Sequence, residues 1–146
     1  MAGPQNLRRL HNIRKVEERQ RNAQMESALA KLRLLQNAFT AALKSTKQAR
    51  ALIASSINTG EQVDRIAALQ ESGATEHRCR ILQERIAAAE VEVASLRQDF
   101  LIKRRERCQV ESLLDAAHAR REVEENRKSQ SVLDDWHLSQ RNRKWK

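Results

Sequence analysis

The stretch MESALAKLRLLQNAFTAALKSTKQARALI, residues 25–53, decides the fold. Met25, Ala28, Leu32, Leu35, Phe39, Ala42, Thr46, Ala49 and Ile53 step through it by alternating threes and fours. That spacing lines them along one stripe of an α-helix, and a stripe this narrow is a coiled-coil seam, not the broad face of a globular core. A second stripe follows further on: Cys79, Leu82, Ile86, Ala89, Val93, Leu96 and Phe100, resumed in phase by Val110, Leu114 and Ala117. Lys103 and Arg107 hold the two seam positions between. Two such stripes on one chain with a short connection meet antiparallel. Pairing of each stripe in parallel with a second chain is the open alternative. The expected fold is therefore all-α, a long antiparallel two-helix coiled-coil hairpin forming a single domain over 1–146.

Working outward, Pro4 suits the first turn of a helix, because its fixed φ is already helical and its missing donor costs nothing there. Nothing breaks the run from about residue 5 to 54. Ser55-Ser56-Ile57-Asn58-Thr59-Gly60 is the first interruption, with Gly60 placed to end a helix and Thr59 to cap the next. A short helix from Glu61 to Glu71 is expected inside a connector of about 55–74, with Val63, Ile66 and Leu69 as its apolar face. Ser72-Gly73-Ala74-Thr75 closes that connector. The second long helix spans about 75–140, and 141–146 reads as a basic tail. The two long helices measure roughly 75 Å and 100 Å. A turn centred between Gly60 and Gly73 sets Phe39 and Phe100 at about the same level.

Composition agrees with a seam and little else. The chain has 146 residues, 3 Gly, 1 Pro, no Tyr and four aromatics (Phe39, Phe100, Trp136, Trp145), which is too little large apolar volume for a globular core. Ala, Glu, Gln, Leu, Arg and Lys dominate, and these are strong helix formers. No segment alternates apolar and polar residues between turn signals, so a sheet is not expected. The net charge is +9, but 19 acidic residues are interleaved with 28 basic ones, the pattern of a solvated helix surface. No apolar run is long enough to span a bilayer, and no signal peptide is visible, so the reading is of a protein that stays inside the cell. Cys79 and Cys108 lie 29 residues apart on one helix, roughly 43 Å, and are expected as free thiols.

Both ends leave the register. Leu7, Leu10, Ile13 and Val16 recur every three residues and wind around their helix. Val132, Leu133, Trp136 and Leu138 follow a thin stretch in which Val123 is the one sizeable apolar residue. Hairpin geometry is expected to set this second group beside Leu7 and Leu10, giving an open end with apolar residues that two helices cannot bury between themselves. Catalytic machinery is not visible. Three glycines cannot build a phosphate loop, and His11, His77, His118 and His137 are scattered and read as solvated surface groups. No concave pocket is expected to desolvate a pair of carboxylates. The reading is of no enzyme, no cofactor and no metal.

Two short motifs carry a resemblance. Leu7-Arg8-Arg9-Leu10-His11-Asn12-Ile13-Arg14-Lys15-Val16-Glu17 resembles the start of injectisome stalk proteins of the YscO type. Glu125-Asn126-Arg127-Lys128-Ser129-Gln130-Ser131-Val132-Leu133-Asp134-Asp135-Trp136 resembles the end of their flagellar counterpart, FliJ. With chain length, basicity and layout, the likeness covers essentially the whole chain, and the Arg-Arg-Leu-His opening tilts it to the injectisome. The resemblance implies a central stalk of the type III secretion apparatus, in the bacterial cytoplasm at the inner-membrane face. Such a stalk inserts in the hexameric export ATPase and links it to the cytoplasmic domain of the export gate; some members also bind export chaperones. It implies no cofactor and no catalytic residue. By position, the ATPase-binding open end comprises Leu7, Arg8, Arg9, Leu10, Ile13, Arg14, Val16, Leu133, Asp134, Asp135 and Trp136. The gate-binding surface, toward the tip, comprises Gln48, Leu52, Ile53, Gln62, His77, Arg80 and Glu84. Tip-proximal aromatics of the flagellar pattern are missing here.

Two rival readings compete with the stalk. A generic coiled-coil scaffold or chaperone-binding protein needs no more than the hairpin. A basic helical nucleic-acid-binding protein is suggested by Lys103-Arg104-Arg105-Glu106-Arg107, but phosphate binding wants a one-sided basic stripe, and acids recur throughout. Stacking aromatics are missing as well. No nucleic-acid partner and no direct membrane insertion are expected.

Overall fold

The computed structural model describes residues 3–145. Two helices account for almost all of it, α1 (Pro4–Thr59) and α2 (Gln62–Lys144), and they pack against each other as an all-α hairpin. No helix among the described residues is long and apolar enough to cross a membrane. The Gly3 carbonyl accepts from the Asn6 and Leu7 amides at 2.9 and 3.1 Å, so the chain becomes helical at Pro4.

The chain falls into two compact units, one formed by Arg19–Leu101 and one by Met1–Glu18 with Ile102–Lys146. The Arg19–Leu101 unit contains the turn. Gly60 adopts φ 76°, and its amide donates to the Ser56 carbonyl at 2.9 Å, the left-handed cap with which helices commonly end. Arg65 donates a second bond, 3.3 Å, to the same carbonyl. The chain reverses at Gly60 and Glu61 alone, and α2 starts at Gln62.

This differs from the expected connector. The short helix and the second interruption at 72–75 do not exist as separate features; both are the first turns of α2. Ser72 and Thr75 are buried in the seam, and the Thr75 hydroxyl is satisfied by the Glu71 and Ser72 carbonyls at 2.9 and 3.0 Å. Seam packing thus outweighs the cost of Gly73 in a helix, about 1 kcal/mol. The basic tail is likewise helical through Lys144; Lys146 lies outside the described residues.

Register in this unit follows from Thr46, whose hydroxyl meets that of Thr75 at 3.1 Å. Stepping one heptad away along each helix sets Phe39 level with Leu82, and a second sets Leu32 level with Ala89. Phe39 is therefore not paired with Phe100, which falls level with Arg21; removing the connector shifts the register. Every seam position from Met25 to Ile53 and from Cys79 to Phe100 is buried or half-buried. Near the turn the seam is made of small residues: Ala42, Thr46, Ala49, Ser56, Ala68, Ser72 and Thr75 are all buried. Larger buried side chains come further from it, at Leu32 and Leu82, each contributing about 1.5–3 kcal/mol.

In the other unit α1 and α2 are again antiparallel, as the Arg14–Glu106 and Glu17–Lys103 contacts show. Its buried apolar residues are Val110 and Leu114. Leu7 is half-buried, whereas Leu10, Ile13 and Val16 are exposed, as a three-residue repeat on a 3.6-residue helix requires.

Candidate functional site: a charged seam and an unpaired helix end

Within the unit built from Met1–Glu18 and Ile102–Lys146, two successive seam levels contain charge in place of apolar side chains. Arg14 donates to Glu17 at 3.0 Å and to Glu106 at 2.8 Å. Lys103 lies 3.6 Å from Glu17 and 3.3 Å from Glu106. Arg107 is clamped between Glu18 and Glu111, the latter at 2.6 Å. The Lys103 and Arg107 positions that interrupted the apolar stripe are thus answered from α1 by Glu17 and Glu18. The sequence does contain that signal, since both acids stand in the run that opposes Lys103 once the register is known. The Arg14 bond and the nearby Lys103 charge hold the Glu17 carboxyl below the usual carboxylate range. The bond that Arg107 donates to Glu18 raises its own pKa above the ordinary value.

Arg14, assigned by position to an outward ATPase-binding surface, is engaged in this network. Arg8, Arg9, Leu10, Ile13 and Val16 do face solvent, so half of the expected group is presented. The other half does not join it. Leu7 and Pro4 line a shallow hollow with Leu114, Ala117, His118 and Glu124. Leu133 follows Leu114 by 19 residues, about 28 Å along the helix. Val132, Leu133, Trp136 and Leu138 therefore do not lie beside Leu7 and Leu10. The expected adjacency failed because α1 and α2 differ in length, 56 against 83 residues.

What this leaves is a stretch of α2 that α1 does not cover. Every residue from His118 to Ser139 is exposed. Leu133 and Trp136 are 52 and 55% exposed, and the Trp136 ring makes an edge contact with His137, centroids 5.1 Å apart. Asp134 receives a 3.3 Å bond from Gln130, and Asp135 is exposed.

In the Arg19–Leu101 unit, the residues assigned to the gate-binding surface are dispersed. Gln62 stands at the start of α2 and Glu84 is 22 residues on, about 33 Å away. Gln48, Leu52, Gln62, His77, Arg80 and Glu84 are exposed, whereas Ile53 is half-buried in the seam. Arg80 lines a shallow hollow with Leu43, Thr46, Lys47, Arg50, Glu76 and Cys79, closed on one side by a 3.4 Å Arg50–Glu76 pair. A more concentrated feature sits at the turn, where Leu52, Ile57, Val63, Ile66 and Leu69 are all more than half exposed. Val63, Ile66 and Leu69, the expected face of a connector helix, belong to α2, where they flank the seam and point away from it.

Cys79 and Cys108 are free. Among the described residues, no group of three or more His, Cys, Asp or Glu is placed to hold a metal ion. The described residues thus form a helical hairpin with apolar side chains exposed near its turn and on α2 at Val132, Leu133, Trp136 and Leu138. No protein-family model, curated protein or solved structure matches the chain.

Proposed function

We propose that this protein is a central stalk of a type III secretion apparatus, with its partners the hexameric export ATPase and the cytoplasmic domain of the export gate. Its place is then the bacterial cytoplasm, at the inner-membrane face of the apparatus, where export chaperones are further partners. The observation that carries the reading is the unpaired end of α2, where Leu133, Asp134, Asp135 and Trp136 of the FliJ-like motif stand exposed on a helix with no α1 opposite. A pore-inserting shaft needs such an end: apolar anchors free of internal packing, on a helix supported elsewhere by a seam. Basic residues at both ends, Arg8, Arg9, Lys15, Arg141, Arg143 and Lys144, would be drawn to acidic pore loops. The exposed apolar residues at the turn are the natural candidates for the gate, in place of the missing aromatics.

The test is turnover. Adding the protein to the purified export ATPase should raise ATP hydrolysis, and Trp136→Ala should weaken both binding and stimulation while leaving helix content unchanged. Absence of binding together with unchanged turnover would refute the stalk.

A further inference from the structure

From Glu122 onward, α2 carries its charges in four blocks. Glu122, Glu124 and Glu125 come first, then Arg127 and Lys128, then Asp134 and Asp135, and last Arg141, Arg143 and Lys144. Read in reverse, the same series has the same block sizes with every sign inverted. Laid antiparallel on a second copy of itself, the helix therefore sets three acids against three bases at each end, and two bases against two acids on each side of the middle. The two-fold axis falls within Ser131–Leu133. A parallel pairing would set each block against its own sign.

Two further observations point the same way. Among the described residues, no charge beyond Glu111 lies within 4.0 Å of an opposite charge. For Asp134, Asp135, Arg141, Arg143 and Lys144 the helix itself supplies no remedy. The positions three and four residues away hold no opposite charge, apart from His137 near Asp134. Exposed apolar side chains also cluster at the centre of the pattern: Val132, Leu133 and Trp136 are each more than half exposed. A lone helix in water is marginal without a packed face. Arg120 and Arg121 precede the series and line the hollow beside Pro4 and Leu7, which Glu124 alone of the series also borders.

We propose that the α2 end, from about Glu122 to Lys144, is a homotypic pairing surface, on which a second copy of the chain docks antiparallel through complementary charge blocks around Leu133. The inference rests on the helix alone and not on the stalk reading. It also bears on that reading, because the pair covers the same Leu133 and Trp136 that would engage a ring. Pairing and ring binding then exclude each other, and the dimer is a stored form.

Analytical ultracentrifugation of the full chain tests this. At low salt the mass should be twice that of the chain, falling to the single-chain value as salt rises. Reversing Glu122, Glu124 and Glu125 to Lys should give a monomer, and so should reversing Arg141, Arg143 and Lys144 to Glu. Circular dichroism should show both still helical, since every one of these positions is exposed. Mixing the two variants should restore the dimer, as should combining both reversals in one chain. A monomer for the natural chain at low salt and high concentration would overturn the proposal. A dimer indifferent to either reversal, or reversed variants that do not rescue each other, would do the same.

Discussion

The Thr46 hydroxyl sits 3.1 Å from that of Thr75, the one hydrogen bond between the side chains of α1 and α2 within the small-residue part of the seam. Both threonines are buried, as are Ala42, Ala49 and Ser72 of the same part of the seam. Each hydroxyl also reaches carbonyls of its own helix, Thr46 that of Ala42 at 3.0 Å and Thr75 those of Glu71 and Ser72 at 2.9 and 3.0 Å, so the contact between them ties two helical turns together.

Because the two threonines share one interaction, their substitutions should not add. Thr46→Val and Thr75→Val should each cost about 1 kcal/mol, the net worth of a buried neutral bond. The double variant should cost about as much as either single one, because the second substitution has no cross-helix bond left to remove. Urea denaturation of the four proteins gives the coupling directly. Full additivity would mean that the hydroxyls act separately.

The two glycines of the turn region should respond with opposite sign. Gly60 has φ 76° and meets nothing within 4 Å of a built Cβ, so Gly60→Ala should destabilise by about 1–2 kcal/mol through backbone strain alone. Gly73 is in mid-helix with equally open space around it. Gly73→Ala should stabilise by about 0.5–1 kcal/mol. Thermal melts followed at 222 nm distinguish the two.

That contrast shows what the sequence could and could not disclose. The alternation of threes and fours from Met25 to Ile53 is a statement about one helix, and each residue in it turned inward as read. Which residues face each other depends on where the chain reverses, and here Gly60 and Gly73 look alike in sequence. Only a partner can make Ser72-Gly73-Ala74-Thr75 helical, and that partner, Thr46, is 29 residues distant from Thr75. The same error propagated to the ends: a longer connector draws Leu133 toward Leu7, whereas a two-residue reversal leaves it about 28 Å past Leu114. The composition of each candidate surface was legible, then, but not its assembly.

The charged seam should prove to be a weakness in stability. Arg107 and Glu18 pair across the seam and are only 20 and 16% exposed at the side chain, so each loses hydration that the pair only partly returns. Glu18→Leu with Arg107→Leu removes that pair whole, puts apolar volume in its place and should raise the melting temperature. Lys103→Leu alone should lower it, since Glu17 and Glu106 would lose a counter-charge 3.6 and 3.3 Å away. Differential scanning calorimetry reads both changes.

The same cluster sets a pH dependence. Glu17 accepts from Arg14 at 3.0 Å and faces Lys103, with Glu106 sharing both cations; its carboxyl is held below the usual carboxylate range. A depressed folded-state pKa means that the ionised form is the one the folded state favours. The stabilisation is therefore complete above the carboxyl's unfolded value and is lost as pH falls through the lower, folded one. In that acid window, amide exchange in Leu7–Val16 should accelerate ahead of exchange in Ala28–Ala49, whose seam contains no carboxylate. Glu17→Gln should start with faster exchange in the same segment at neutral pH and change less on acidification, so that the two proteins converge at low pH. Equal acid dependence of both segments, or a Glu17→Gln profile parallel to that of the natural chain, would place the sensitivity elsewhere.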